Sequence, residues 1–159
     1  MKYRIISIGK IREPFFQQGI QEYLKRLQPY ASIELVDGLE EKLSPRAGDK
    51  DIEKALQREG ERILALINDN ELLIALDIKG RMLSSEALAH TMEAWNQSGK
   101  SRVNFVIGSS FGLSPAVKTR ADLRLCLSPM TFLHQMSGLI LAEQIYRGFR
   151  IIKGEPYHK

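Results

Sequence analysis

A single cysteine, Cys126, in a chain of 159 residues excludes an internal disulfide, and with only three histidines nothing resembles a Cys/His zinc cluster. No metal is expected, and the cysteine usage fits a reducing compartment. Cys126 lies in a β-rich stretch and reads as a buried strand residue. Long apolar runs are missing too. Uncharged stretches such as residues 105–107 and 139–142 fall far short of the roughly 20 residues that a membrane helix needs. Residues 1–8 end in a short apolar run at Gly9, without the longer apolar segment and small-residue cleavage site of an export signal. The expectation is a cytoplasmic protein that makes no use of a membrane. Also absent are the dinucleotide fingerprint GxGxxG and the Lys-Ser/Thr pair that closes a P-loop.

What is present is the composition of one ordinary domain, 43% hydrophobic and 26% charged, with no repeat or linker dividing residues 1–159. The net charge of +4 is modest but unevenly placed. Residues 34–53 hold seven acids against Lys42, Arg46 and Lys50, a segment that repels phosphate. Residues 147–159 hold Arg147, Arg150, Lys153 and Lys159 against Glu155 alone, interleaved with Phe149, Tyr157 and His158, a tail that attracts it.

Strand and helix patterns alternate. Residues 3–8 (YRIISI) read as a strand, and residues 13–27 place Phe16, Ile20, Leu24 and Leu27 on one helical stripe. Residues 31–36 alternate as a second strand, and residues 38–48 lack apolar periodicity and read as a mobile acidic loop. Residues 49–67 return to helical spacing despite Gly60. Residues 72–77 (LLIALD) and 103–107 are continuous apolar runs of strand length, as in central strands covered on both faces, with Gly80 ending the turn after the first. Between them, Ser84 or Ser85 caps a helix carrying Leu88, Met92 and Trp95, closed by Gly99. Ser114-Pro115 opens a further helix, residues 121–127 form a fifth strand, residues 128–134 a loop, and residues 135–149 the last helix. This order predicts an α/β fold with a mostly parallel sheet flanked by helices, and ligands bound where loops leave the carboxyl ends of strands.

Three loops leave such ends: residues 77–81, 108–114 and 127–134. The GxxxGL of residues 108–113 has two readings. One is turn geometry alone; the other is close backbone approach to an adenosine or methionine moiety, with Ser109 and Ser110 as hydrogen-bond partners. His90 sits on the polar flank of its helix and reads as solvated. His134 follows the fifth strand's loop at a helix start, where it can serve as a cap or as a reacting group. Arg147 and Arg150 suit the negative end of the last helix on structural grounds alone. Tyr157 and His158 lie in a terminus that composition alone reads as frayed.

Taken together, Leu76-Asp77, Gly108-Ser-Ser-Phe-Gly-Leu, Leu127-Ser-Pro-Met-Thr-Phe-Leu-His134, Glu143-Gln-Ile-Tyr-Arg147 and Pro156-Tyr-His-Lys159 resemble the RlmH family of bacterial ribosomal RNA methyltransferases. The match runs through the whole chain, with departures at Ser109, Leu133 and Gly138, where the family usually has glycine, proline and arginine. The resemblance implies a SPOUT-class fold with a C-terminal trefoil knot, placed here at about residues 103–159. It implies methylation of N3 of a pseudouridine in large-subunit ribosomal RNA, probed best on assembled ribosomes, with S-adenosyl-L-methionine as methyl donor. The implied cofactor contacts are Leu76, Gly108, Leu127, Ser128, Pro129, Met130, Thr131 and Phe132. The implied active site is shared between the two protomers of a homodimer, one binding the cofactor and the other contributing Tyr157 and His158. Arg147 and His134 complete the implied catalytic set, Arg147 as a contact to RNA or the reacting base. Two rivals stand beside this: a related methyltransferase of another rRNA or tRNA base, and a ribosome-binding factor without catalysis.

Overall fold

The computed structural model describes residues 1–159. Its centre is a five-stranded parallel sheet in the order β2-β1-β4-β3-β5, built from β1 (Lys2–Ser7), β2 (Ser32–Val36), β3 (Glu71–Met82), β4 (Arg102–Ile107) and β5 (Leu123–Cys126). The helices are α1 (Pro14–Leu27), α2 (Asp49–Ala65), α3 (Ser85–Gln97), α4 (Pro115–Arg120) and α5 (His134–Ile152). Successive strand side chains point to opposite faces, which explains the continuous apolar runs. Ile5, Ile74 and Phe105 enter a large core beneath α1, α3 and α5 with Leu27, Met92 and Ile145. Their neighbours Ile6, Leu73 and Val106 enter a smaller core on the other face with Ile63 of α2 and Val117 of α4. The sheet is thus covered on both sides, the arrangement that parallel strands require.

Local chemistry sets the helix ends. The Ser84 hydroxyl accepts the Ala87 amide at 3.0 Å, and the Ser114 hydroxyl accepts the Val117 amide with Pro115 in the first turn. Gly99 and Gly154 adopt φ of 78° and 64° where α3 and α5 end, a region that favours glycine.

The structure departs from the sequence reading in several places, among them the ends of β5 and α2, each shorter than the sequence gave. β3 does not stop at Asp77 with Gly80 ending a turn. It pairs with β5 at Leu76↔Leu125, throws residues 77–80 out as an irregularity, and resumes at Arg81↔Leu125 and Met82↔Cys126. Gly80 is required for close approach: a β-carbon there would lie 2.7 Å from the Arg124 backbone carbonyl. α5 begins at His134 and runs to Ile152, one residue earlier and three later than periodicity gave. The acidic segment 38–48 is tied to α2: Arg62 donates to the Leu39 carbonyl at 2.9 Å, Arg58 and Arg62 both engage the Glu41 carboxylate, and the buried Glu59 accepts the Glu41 amide at 2.9 Å. Finally, the C-terminal tail is docked rather than frayed, with Tyr157 set edge-on against Tyr146 at 4.9 Å. Gly138 faces inward on α5, where an added β-carbon would sit 3.3 Å from Ile20, so the position belongs to the α1/α5 contact.

Candidate active site

The loops that follow β4 and β5, together with the irregularity in β3, close around a cavity of about 740 Å³. Half of its lining is hydrophobic, including Leu76, Ile107, Leu125 and Leu127, and the remainder includes Asp77, Ser128 and Thr131. A pocket of this size, with apolar walls and polar groups between them, suits a cofactor-sized molecule.

The loop after β4 is a tight turn. The Gly112 amide donates to the Ser109 carbonyl at 2.9 Å, Gly112 takes φ of 86°, and a β-carbon on Gly108 would lie 2.7 Å from the Gly112 carbonyl. Both glycines are therefore needed by the loop's own geometry, and that geometry brings Gly108 to the cavity wall. The loop after β5 is shaped by side chains: the Ser128 hydroxyl accepts the Met130 amide at 3.0 Å, and the Cys126 thiol donates to the Ser128 carbonyl at 3.1 Å. Cys126 is buried, as the sequence suggested.

Of the cofactor residues that the resemblance implied, Leu76, Gly108, Leu127, Ser128, Met130, Thr131 and Phe132 line this cavity, whereas Pro129 does not. His134 lines it too, at the first turn of α5, with its Nε2 3.2 Å from the Lys10 carbonyl. Gly9 makes room for that ring, since a β-carbon there would be 2.6 Å from Nε2. The adjacent Gln135 accepts the Arg12 and Glu13 amides at 2.8 and 2.9 Å, anchoring the start of α5 to the start of α1.

Two charged residues also line the cavity, Asp77 and Lys118, and only the second was not legible in the sequence. Asp77 has a side chain only 6% exposed; one oxygen accepts the Lys79 amide at 3.0 Å, while the other has no hydrogen bond and faces Lys118 and Arg124 at 3.9 and 3.8 Å. Its sequence signal was its place at a strand end. Lys118 carried no signal, because its approach to Asp77 depends on how α4 lies against β3.

Arg147, Tyr157 and His158 do not line the cavity. They form a second cluster on α5 and the tail. The Glu143 carboxylate accepts from Arg147 Nε and from the Tyr157 hydroxyl, each at 3.0 Å, and the Arg147 guanidinium lies 4.7 Å from the centre of the Tyr157 ring. Arg147 Nη1 is 3.2 Å from His158 Nδ1, and His158 Nε2 is 2.7 Å from a carboxylate oxygen of Glu86, at the start of α3. Burial raises the Tyr157 phenol above its usual range, helped by its Tyr23 and Glu143 hydrogen bonds, so it stays protonated. The His158 hydrogen bond holds the Glu86 carboxyl below its usual range. Arg150, by contrast, is engaged within its own chain by Tyr30, Glu155 and the Pro156 carbonyl. His90 is exposed, as expected for a solvated flank.

Around the cavity several large apolar side chains remain exposed: Ile78 56%, Phe111 52%, Met130 74% and Leu133 56%. No helix is long and apolar enough to cross a membrane, and no group of three or more His, Cys, Asp or Glu residues is arranged to hold a metal ion.

Comparison with known proteins gives one consistent picture. The family model described as "Predicted SPOUT methyltransferase" matches residues 1–158. The chain is 57% identical over its full length, and that of the relative, to "Ribosomal RNA large subunit methyltransferase H" of Syntrophomonas wolfei. It is 50% and 49% identical, again over both full lengths, to proteins of the same name from Alkaliphilus oremlandii and Bacillus pumilus. Among solved structures, a probable methylase family protein from Haemophilus influenzae superimposes with a TM-score of 0.54 over 99% of this chain and 70% of that one. At 14% identity, that likeness speaks to fold alone.

Proposed function

The chain belongs to the SPOUT methyltransferase family, and from that premise we propose that it transfers the methyl group of S-adenosyl-L-methionine to N3 of a pseudouridine in large-subunit ribosomal RNA, as a cytoplasmic homodimer acting on the ribosome or its large subunit. The relatives' shared name supports the RNA class. The pseudouridine and its N3 come from the motif resemblance.

The cavity fits the cofactor. Its apolar wall around Leu76 and Leu127 suits an adenine ring, and its hydroxyls and loop amides suit the ribose and amino-acid ends. Gly108, Ser128, Met130, Thr131 and Phe132 would hold it; Pro129 would set the loop's path. Family membership also carries the expectation of a knot at about residues 103–159, whose loops would be those that line this cavity.

The observation that carries the reading is the separation of two half-sites in one chain. The cavity is flanked by exposed apolar side chains, and the Arg147, Tyr157 and His158 cluster lies outside it. A second protomer covering that rim would bring its own cluster to the cavity of the first. Neither protomer would then be active alone.

When bound, the cofactor supplies an electrophilic methyl on a positively charged sulfur. The protein's part is to align the nucleophilic nitrogen with it and exclude water. Arg147 anchors the RNA or the reacting base, Tyr157 braces Arg147 through its ring and through Glu143, and His158 takes the N3 proton so that the nitrogen's lone pair becomes available. His134, at the cavity wall, orients the bound group.

The test is transfer of labelled methyl from S-adenosyl-L-methionine to intact ribosomes and separated subunits lacking the modification, followed by nucleoside identification. 3-Methylpseudouridine in large-subunit RNA is expected. A different methylated nucleoside would reassign the substrate, and binding without transfer would indicate a non-catalytic ribosome-binding factor.

A further inference from the structure

His158 is held by two partners whose chemistry leaves no choice of tautomer. A guanidinium has only donors, so Arg147 Nη1, 3.2 Å away, requires Nδ1 of His158 to be a bare acceptor. A carboxylate has only acceptors, so Glu86, 2.7 Å away, requires Nε2 to carry the proton. The two contacts therefore name the same state, the neutral Nε2–H imidazole. Glu86 comes from the first turn of α3, 72 residues away in sequence from the tail it engages. It has no salt bridge to lysine or arginine.

We propose that Glu86 is a positioning residue for His158, orienting the ring so that Nδ1 is the nitrogen that accepts the substrate proton. This rests on the functional reading above. In the step it describes, the N3–H proton passes to Nδ1 and the N3 electron pair forms the new N–CH₃ bond. The C–S bond breaks with its pair retained on sulfur, so the positive charge of the sulfonium is replaced by that of the imidazolium. That charge develops beside the Glu86 carboxylate, which stabilises it, as an orienting carboxylate does for a catalytic histidine elsewhere. Arg147 must leave Nδ1 before the proton can arrive, because two N–H groups cannot face each other at that distance. RNA phosphate or a base carbonyl supplies the acceptor that draws the guanidinium away. The base is thus uncovered by substrate binding.

The arrangement is tested with Glu86→Ala and Glu86→Gln in the full-length protein. Glu86 is largely exposed, and glutamine preserves an acceptor oxygen. In ¹⁵N-histidine spectra of the wild type above the imidazole titration, with His158→Gln used for assignment, His158 is expected as a single Nε2–H tautomer. Glu86→Ala should move both nitrogen resonances toward the averaged values of free imidazole, and Glu86→Gln should retain the fixed state. Methyl transfer should fall about tenfold in kcat for Glu86→Ala with cofactor affinity unchanged, and recover most of that loss in Glu86→Gln. An Nδ1–H tautomer in the wild type, or unaltered resonances in Glu86→Ala, overturns the assignment whatever RNA is modified. Absence of transfer by the wild type overturns the functional reading alone, since the spectra still decide the role of Glu86 in holding the ring.

Discussion

Gly60, in the middle of α2, lies so close to Ser114 that a β-carbon on the glycine would stand 2.3 Å from the serine hydroxyl oxygen and 3.0 Å from its β-carbon. Ser114 is the N-cap of α4, which opens directly after the Gly108–Gly112 turn. The contact therefore fixes where α4 begins and, through it, the loop that lines the cavity. Considered only as a helix residue, Gly60 costs roughly 1 kcal/mol relative to alanine; its place against Ser114 is what that cost secures.

Gly60→Ala should accordingly destabilise the protein by about 1–3 kcal/mol through overpacking, in spite of the better helix propensity of alanine. Chemical denaturation measures this directly. A midpoint above that of the wild type would mean that α2 shifts freely and that propensity outweighs the contact.

Gly108→Ala should act on binding more than on stability. Its β-carbon would meet the Gly112 carbonyl at 2.7 Å, and relief of that clash must open the turn. Calorimetric titration with S-adenosyl-L-methionine is expected to show at least about tenfold weaker binding, equivalent to ~1.4 kcal/mol, because the opened turn no longer presents the lining groups in register. Unchanged affinity would remove this loop from the cofactor site.

Five strands and five helices were legible because the central strands bury both faces and the helices bury one, while the edge strand β2, only partly buried, showed itself by alternation. Ile5 and Ile6, or Leu73 and Ile74, had to read as unbroken apolar runs once helices covered both sides of the sheet. The strand order was not legible, because nothing local tells β1 to lie between β2 and β4. The irregularity at residues 77–80 was hidden for the same reason: Gly80 is needed by the Arg124 backbone, far along the chain. At the site, the loop glycines and the Leu127–His134 segment announced themselves by position at strand ends. The tail did not, since its docking depends on Tyr146, Glu143 and Glu86, partners that composition cannot pair with it.

Glu59 gives a pH-dependent prediction. Its carboxyl is buried, and burial raises its pKa above the usual carboxylate range, opposed by the hydrogen bond from the Glu41 amide. A folded-state pKa above the unfolded one contributes stability at low pH that is lost as pH rises through the folded value. Glu59→Gln, which keeps an acceptor for Glu41, should therefore raise the thermal midpoint at neutral and alkaline pH, with the gain shrinking as pH falls through the raised folded value and gone once the medium reaches the ordinary carboxylate range. A gain independent of pH would show that ionisation of Glu59 is not the cause.

Removal of residues 157–159 should separate binding from turnover. None of the tail lines the cavity, so cofactor affinity is expected to stay within about twofold of wild type. Methyl transfer should fall by at least about a hundredfold, the low end of what a positioned base contributes. Parallel loss of both would place the tail's effect on folding or on the cavity itself.

Mixing two inactive variants reads the shared site most directly. A chain lacking residues 157–159 keeps an intact cavity, and a Gly108→Val chain keeps an intact tail. Each should be inactive alone. Random pairing after joint refolding should restore about a quarter of wild-type transfer, since half of the dimers are mixed and each mixed dimer holds one complete site. If native mass spectrometry finds the mixed dimers and they transfer no methyl, the cavity and the tail do not meet across two chains, and the half-sites must be joined within one.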